Sequence, residues 1–192
     1  MTEKHKTTAT EALPSPEFWR YSLKLYSKMA VKNICLELQQ LYDINVNMVL
    51  LCCWYAFAGH GVIPEDDLQK IKEEIEPWHE KITKPLRELR SLISNFSQES
   101  AMHDMRKDIL ADELIAEHIE HLIILNHLGI YPIRKRSNQQ KISDCIDNFH
   151  RYFHLLGATL DRDSYDLLNK LVAEVFRFKS DAHRNFQSRL SI

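Results

Sequence analysis

Glycine and proline are scarce in this sequence, whose 192 residues include four glycines and six prolines. Because the tight turns of an all-β fold use both residue types heavily, so few of them argue against that class. They also argue against a glycine-rich phosphate-binding loop, and no Walker, G-x-G-x-x-G or G-x-S-x-G motif occurs. A catalytic triad assembled in space is not excluded, because its members need share no local motif.

An excess of charge is also absent, since the formal net charge is −2. We therefore expect neither nucleic acid nor an anionic membrane as a partner. No apolar run reaches the roughly 18 residues that span a bilayer. Residues 1–16 contain no apolar core like that of a signal peptide, so a cytoplasmic location is expected.

The four cysteines show none of the C-x-x-C spacing of zinc or redox sites. All of them fall on predicted buried helix faces, where a free thiol acts as a small apolar group: Cys35, Cys52, Cys53 and Cys145. This cysteine pattern suits a reducing cytosol. We expect no cofactor.

The stretch Asn45–Gly61 organises the chain, because every residue from Met48 to Ala58 is apolar or aromatic. A helix that is apolar all round is buried on all sides. Asn45 is a suitable N-cap, and Gly59 and Gly61 follow where such a helix should end. The sequence therefore predicts a central helix over residues 45–59.

Helical spacing continues on both sides of this stretch, which predicts an all-α bundle of about six to seven helices. Residues 1–14 form a polar tail predicted to be disordered, and residues 15–192 are expected to form a single helical domain. Inward-facing stripes are predicted at Phe18, Tyr21 or Ser22, Leu25 and Met29; at Val31, Ile34, Cys35, Leu38 and Leu41; at Leu68, Ile71 and Ile75; at Leu86, Leu89, Leu92, Ile93 and Phe96; and at Leu110, Leu114, Ile115, Ile119, Leu122 and Ile123.

Two prolines, Pro77 and Pro85, interrupt the helical pattern after the central stretch. Each lacks a backbone N–H and crowds the preceding turn, so we expect two breaks or kinks.

The C-terminal part is predicted to form an antiparallel helical hairpin. One helix covers about residues 139–156, Gly157 ends it, and Asp161 or Asp163 caps the next. Both helices carry heptad seams that most simply pack on each other: Ile142, Cys145, Phe149, Tyr152 and Leu156, then Leu168, Leu171, Val175, Phe178, Ala182 and Phe186.

Acid–histidine groups are the weak metal candidates. The first is Glu117, His118 and His121, with Glu113 and Glu120 nearby, but the Glu-x-x-His spacing of di-iron bundles is absent. The second is Asp147, His150 and His154, which share the helix face opposite the heptad seam and so are expected to face water. A third group, Glu76, His79 and Glu80, has no partner that the sequence identifies.

Three segments resemble an uncharacterised family of small proteobacterial proteins. They are Phe18-Trp19-Arg20 with Leu23 and Tyr26, Val46-Asn47 through Trp54, and Trp78 followed by Pro85-Leu86-Arg87-x-x-Arg90. The resemblance covers residues 17–95 and does not extend over the helical part at 98–192. It implies a bacterial cytoplasmic helical protein and no particular reaction.

The same segments combine tryptophan and arginine, which are enriched at binding hot spots. We predict a binding surface made of Trp19, Arg20, Trp78, Arg87 and Arg90. In the alternative interpretation the tryptophans fill the core and the arginines pair with acids such as Glu73, Glu74 or Glu88. The basic loop Arg134–Lys141 is expected to be a solvated loop rather than an anion-binding site.

The leading functional hypothesis is a non-enzymatic interaction or adaptor protein that binds an unknown protein through the Trp/Arg surface. A metal-dependent helical-bundle enzyme requires two acid–histidine helices facing each other across a cavity. A small-ligand-binding bundle requires an apolar pocket beside the central helix. The oligomeric state is left open by the sequence.

Overall fold

The computed structural model of the chain describes residues 16–94, 96, 100–129, 133 and 135–176. These residues form helices and connecting loops, with no strand among them. The elements are α1 (Glu17–Tyr26), α2 (Met29–Tyr42), α3 (Val46–Ala58), α4 (Glu65–Trp78), a π-helical turn (His79–Thr83), α5 (Lys84–Ile93), α6 (Ser100–His127), α7 (Asn138–Leu155) and α8 (Arg162–Phe176). Because α4, the π turn and α5 follow without a gap, the described residues make seven separate helical segments, as the sequence predicts.

The described residues divide into two compact units. Unit 1 comprises residues 16–19 and 70–128, and unit 2 comprises residues 20–69 and 129–176, with the gaps given above. The predicted tail, Ser15, and residues Phe178, Ala182 and Phe186 of the second heptad seam lie outside the described residues.

The predicted central helix is confirmed as α3 in unit 2. The Asn45 side chain accepts a hydrogen bond from the N–H of Asn47, and Gly59 ends the helix at a left-handed φ of 95°. Eleven consecutive residues, from Val46 to Ala56, are buried. Phe57 is the exception, because its ring is partly exposed between Tyr21 and Phe176.

A fully buried asparagine of α7 hydrogen-bonds to α3 and to the residues that follow it. Asn148 donates from Nδ2 to the carbonyls of Cys52 and Gly61, each at 3.3 Å, and accepts from the N–H of Ile63 at 2.7 Å. Tyr152 also accepts a hydrogen bond from the N–H of Asn45 at 3.0 Å. The bonds to Asn45, Gly61 and Ile63 satisfy backbone groups beside the two ends of α3, where helical bonding stops, and the bond to Cys52 reaches the middle of the helix.

The C-terminal hairpin is present, but its seams pack differently from the prediction. Cys145 and Tyr152 of the α7 seam contact α3, while Phe149 lies between α7 and α8. Helix α8 reaches α2 as well, where Ser164 hydrogen-bonds Tyr42 at 2.5 Å. The physical reason is that α3 is apolar all round, so both hairpin seams are shared with other helices of unit 2.

All four cysteines are buried and free, as predicted. Cys53 of α3 lies beside Cys145 of α7, and burial raises the pKa of the Cys53 thiol. Burial likewise raises the pKa values of Cys35 and of the Tyr21 phenol. Cys53, Cys35 and Tyr21 are therefore neutral, packed side chains.

Of the breaks or kinks predicted at Pro77 and Pro85, the breaks are absent. Pro77 lies inside α4 and Pro85 stands in the first turn of α5. Between them the chain widens into the π-helical turn, which accommodates a local mismatch in helical bonding without ending the helix.

Several predicted inward stripes are confirmed and others are wrong. Leu68, Ile71 and Ile75 are buried, as are the first four residues of the α2 stripe. Met29 and Leu41 are exposed instead, because each stands at one end of α2. Leu110 and Leu114 on α6 and most of the α5 stripe are exposed too. None of the described helices is both long and apolar enough to cross a membrane.

Candidate functional site

Helix α6 brings together four of the five predicted surface residues, all within unit 1. Trp19 contacts its His118, Trp78 contacts Ala116, and Arg87 and Arg90 both reach Glu113. Arg20 is exposed and belongs to unit 2.

The two tryptophans are held by α6. The Trp19 ring is 6% exposed and stacks on His118, with ring centroids 4.3 Å apart and planes 5° from parallel. Trp78 is half-buried, and its indole N–H donates to the carbonyl of Ala116 at 3.1 Å. Trp19 is therefore a packed side chain, as the alternative interpretation of the sequence requires.

The two arginines form an ion-pair network with α6. Arg87 donates to Glu117 at 2.7 Å and to Glu113 at 3.1 Å, and Arg90 donates to Glu113 at 2.5 Å. Although burial lowers it, the two carboxylates raise the pKa of Arg87 above its usual value. Both arginines therefore pair with acidic residues, as the alternative interpretation requires, and the acids are Glu113 and Glu117 rather than the examples Glu73, Glu74 and Glu88.

Burial is the largest influence on the Glu117 carboxyl, and it raises the pKa of this group above its usual value. Arg87 lowers that pKa, whereas neighbouring Glu113 raises it again. Glu113 is itself buried and shares its two oxygens between both arginines. One carboxylate therefore fixes two side chains of α5 against α6.

A second polar contact in unit 1 was not predicted. His79 of the π turn hydrogen-bonds through Nδ1 to Glu120 at 2.9 Å, and both residues are buried. The sequence shows His79 in an acid–histidine group, but its local acids Glu76 and Glu80 pair with Lys72 and Lys84 instead. Because Glu120 lies 41 residues further on, only the folded α6 identifies it as the partner.

The two histidines of the first metal candidate lie in an aromatic environment. Phe18 and Trp19 contact His121 with ring centroids 4.3 and 4.8 Å away. Its Nδ1–H donates to the carbonyl of Glu117 at 2.9 Å, which fixes the tautomer. Burial lowers the pKa of His121 to about 4, so the ring is neutral at pH 7.

The metal candidates do not converge on a common point. Among the described residues, no group of three histidine, cysteine, aspartate or glutamate side chains has an arrangement that holds a metal ion. On α6, Glu117 pairs with Arg87 while His118 stacks on Trp19. On α7, Asp147, His150 and His154 are exposed, as predicted, and the His150 ring meets Tyr165 edge-on.

The basic loop is partly built into unit 2. Arg136 pairs with the buried Asp144 at 3.1 Å, and Lys141 donates to the carbonyl of Phe57 at 2.8 Å near the end of α3. Lys135 is exposed, and Arg134 lies outside the described residues. Two of the four basic side chains therefore make intramolecular contacts.

A small-ligand-binding bundle requires a pocket beside α3. The structure has a depression in unit 2. It lies between α7 and α8, where it is lined by Ile146, Phe149, His150, Tyr165, Leu168, Asn169 and Val172. None of these residues belongs to α3.

An exposed apolar stripe runs along α5. We call it the α5 seam, and it consists of Ile82, Pro85, Leu89, Leu92 and Phe96. All five side chains are exposed, with Leu89 at 40%, Leu92 at 54% and Phe96 at 59%. No residue of α5 is buried, and all ten of its residues are described. The predicted inward stripe is therefore wrong for Leu89, Leu92 and Phe96, whereas its other two residues, Leu86 and Ile93, are half-buried.

The sequence did not show that the α5 seam is exposed, because an amphipathic pattern identifies the apolar face of a helix but not whether that face points toward the protein or toward water. Two arginines in α5 could have indicated the direction of the apolar face. If Arg87 and Arg90 turn toward a neighbouring helix, the leucines on the other side of α5 turn away from it.

Comparison with known proteins gives a family without an activity. The family model described as "Protein of unknown function (DUF2390)" matches residues 17–122. No curated protein and no solved structure matches the chain. The matched span reaches beyond the resemblance at residues 17–95, and it includes the α5 seam together with the arginine–glutamate network. The chain therefore belongs to the DUF2390 family of proteins of unknown function.

Proposed function

We propose that the chain is a non-enzymatic interaction protein of the bacterial cytoplasm, and that it binds another protein through the α5 seam. The observation that carries this proposal is the inverted polarity of α5. Its arginines point toward α6, whereas Leu89, Leu92 and Phe96 are exposed. The four free cysteines are consistent with a reducing compartment.

A surface helix of a globular protein normally buries its apolar face and exposes its charges. Helix α5 does the reverse with large side chains, which leaves apolar surface in water. Contiguous exposed apolar surface of this kind marks interaction sites in soluble proteins. The cost of exposing the seam is removed when a partner covers it, at roughly 25 cal/mol for each Å² of apolar surface buried.

The charges on this part of unit 1 favour a protein over an anionic ligand. Arg87 and Arg90 are paired with Glu113, and Lys84 pairs with Glu80 at 3.3 Å. Cations already neutralised by carboxylates contribute little attraction for phosphate or for an anionic membrane surface. An apolar helical surface of a protein is the matching partner chemistry.

This proposal keeps the predicted function of an interaction protein but assigns binding to the α5 seam instead of the predicted Trp/Arg surface. Of the predicted Trp/Arg residues, Trp19 is buried, and Arg87 and Arg90 hold α5 against α6. They support the seam by fixing the orientation of α5 rather than by touching a partner.

The test places a photo-crosslinking amino acid at position 92 of the full chain in living bacterial cells. Leu41 on α2 is the matched control, because it is also a leucine that is 54% exposed. We expect an adduct of discrete mass from position 92 and none of that mass from position 41. The adduct should disappear when L89D is added.

Identical adducts from positions 92 and 41, or an adduct that persists with L89D, would contradict binding through the seam. Crosslinking of position 92 to lipid alone would replace the protein partner with a membrane surface.

A further inference from the structure

We propose that the π-helical turn His79–Thr83 is a conformational switch that controls the exposure of the α5 seam. In a second state the turn becomes α-helical, α5 rotates about its own axis, and the seam turns toward α6. This inference rests on the proposed function, since it concerns the regulation of the same surface.

The apolar stripe of α4 and the α5 seam form one continuous pattern in the sequence. Positions 71, 75, 78, 82, 85, 89 and 92 follow each other at alternating intervals of four and three, and each carries an apolar or aromatic residue. In an uninterrupted α-helix, positions with this spacing lie along one face. The sequence therefore allows a register in which the buried face of α4 and the seam point the same way.

The structure interrupts this common face at the π turn. Ile75 is buried before the turn and Trp78 donates to α6, whereas Leu89 is exposed after it. The N–H of Lys84 donates to the carbonyl of His79, which lies five residues back rather than four. The turn thus takes up about one more residue than an α turn, and this changes the direction of all later side chains by about 100°. The π turn is therefore the reason that the seam points away from α6.

The π turn brings polar side chains to α6 in place of the seam. Thr83 is fully buried, and Arg87 and Arg90 reach Glu113. These ion pairs stabilise the π register, because the buried Glu113 would lose its positive partners if α5 rotated. Pro85 favours the same register, since the ring of a proline crowds the carbonyl four residues earlier in a regular α-helix. The π register is therefore the major state.

Two features of the π register favour the second state. The Thr83 hydroxyl is buried and has no hydrogen-bond partner within the described part of the chain, and the seam leaves large apolar side chains in water. Rotation of α5 moves the hydroxyl toward water and the seam toward α6. His79 stands at the first residue of the turn, so its bond to Glu120 lies before the rotation and stays intact. The two registers thus exchange ion pairs for apolar burial.

The experiment measures the thiol-labelling rates of T83C and L92C in the full chain, with and without E113Q/E117Q. The two glutamine substitutions remove the charges that hold the arginines of α5. We expect the second state to rise from roughly 5% to about 50% of the molecules. T83C should then be labelled about tenfold faster, whereas L92C should be labelled about twofold more slowly.

L41C on α2 is the matched control, because Leu41 and Leu92 are both 54% exposed. Its labelling rate should not respond to E113Q/E117Q. The four native cysteines are buried, so they contribute little background. A loss of fold would accelerate labelling of T83C without slowing that of L92C, and this outcome overturns the inference. Rates at both positions that ignore E113Q/E117Q overturn it as well.

Deletion of Lys81 is a second test, which leaves both carboxylates in place. Lys81 is an exposed residue of the π turn, and removing one residue converts the turn to α while α5 keeps its present direction. We expect L92C to be labelled as before, and T83C to stay protected even with E113Q/E117Q. Circular dichroism checks that helix content is retained. Slower labelling of L92C after the deletion would show that the π turn does not set the direction of α5, which overturns the inference.

The switch and the proposed function fail in different ways. A cellular adduct at position 92, without opposite changes at T83C and L92C, keeps binding through the seam and removes the switch. Opposite changes without any cellular adduct keep the change of register and remove binding through the seam.

Discussion

Glu113 holds Arg90 with a hydrogen bond of 2.5 Å from the arginine Nε, across 23 residues of sequence. The same carboxylate accepts a bond from Arg87 at 3.1 Å. This contact ties the polar side of α5 to α6, so it determines which side of α5 faces water. The exposure of the α5 seam is thus a consequence of ion pairing in unit 1.

Replacing Glu113 is expected to destabilise the protein. E113Q keeps the shape of the side chain but leaves two partly buried guanidinium groups without their shared charge. We expect the free energy of unfolding to fall by about 2 kcal/mol, measured by urea denaturation at pH 7. The matched control is E80Q, which removes an exposed i,i+4 pair with Lys84 and should cost at most about 0.5 kcal/mol. Equal losses in the two variants would contradict a structural role for the network.

The fold could be predicted from the sequence where residues need no knowledge of a distant partner. Helix α3 was predicted with its cap because an all-apolar run is buried whatever surrounds it. The orientation of α5 was not predicted, because it depends on ion pairs that span 26 and 30 residues. The pairing of His79 with Glu120 escaped for the same reason.

The candidate site shows a similar division. The sequence selected Trp19, Trp78, Arg87 and Arg90 as a group, and α6 contacts all of them. It did not reveal whether these side chains face a partner or the interior of unit 1, because hot-spot residues and core residues have the same composition. Their binding role remains a prediction, and the surface we propose lies on the other side of α5.

Asn148 is expected to be among the most sensitive positions of unit 2. Its side chain is fully buried and bonds three backbone groups near α3. N148A leaves the N–H of Ile63 and the carbonyls of Cys52 and Gly61 without these bonds. We expect a loss of about 3 kcal/mol in the free energy of unfolding.

The control for this position is N138A, at the exposed first residue of α7, where the expected change is within about 0.5 kcal/mol. A loss in N148A no larger than that in N138A would show that the three bonds contribute nothing net to stability.

Two glycines with positive φ allow a matched test of packing around the basic loop. A Cβ at Gly61, where φ is +96°, would lie 2.6 Å from Nη2 of Arg136, whereas at Gly157, with φ +64°, no atom lies within 4 Å. G157A should therefore cost only the backbone penalty of about 1 kcal/mol. G61A should cost about 3 kcal/mol, because its φ lies outside the left-handed region that L residues can adopt and because Arg136 must also shift relative to Asp144.

Thermal or urea unfolding of the two variants measures this difference. If G61A and G157A are equally destabilised, the guanidinium of Arg136 moves aside without a measurable loss of stability.

The buried His121 should make stability depend on pH. Its folded pKa of about 4 lies below the ordinary 6.5, so the unfolded chain binds the proton more readily between these values. Stability should therefore be fully present above pH 6.5 and fall as the pH decreases toward 4. Between pH 7.5 and pH 5 this single group accounts for a loss of about 2 kcal/mol in the free energy of unfolding.

The measurement compares urea unfolding of the wild type and H121Q at both pH values. H121Q cannot take up this proton, so its stability should fall by about 2 kcal/mol less than that of the wild type over the same interval. H103Q, at an exposed position of α6, should keep the wild-type dependence. Because the carboxylates remain in both proteins, the difference between them isolates the histidine. An H121Q variant with an unchanged pH dependence would show that the ring takes up its proton equally well in the folded state, despite its contacts with Phe18 and Trp19.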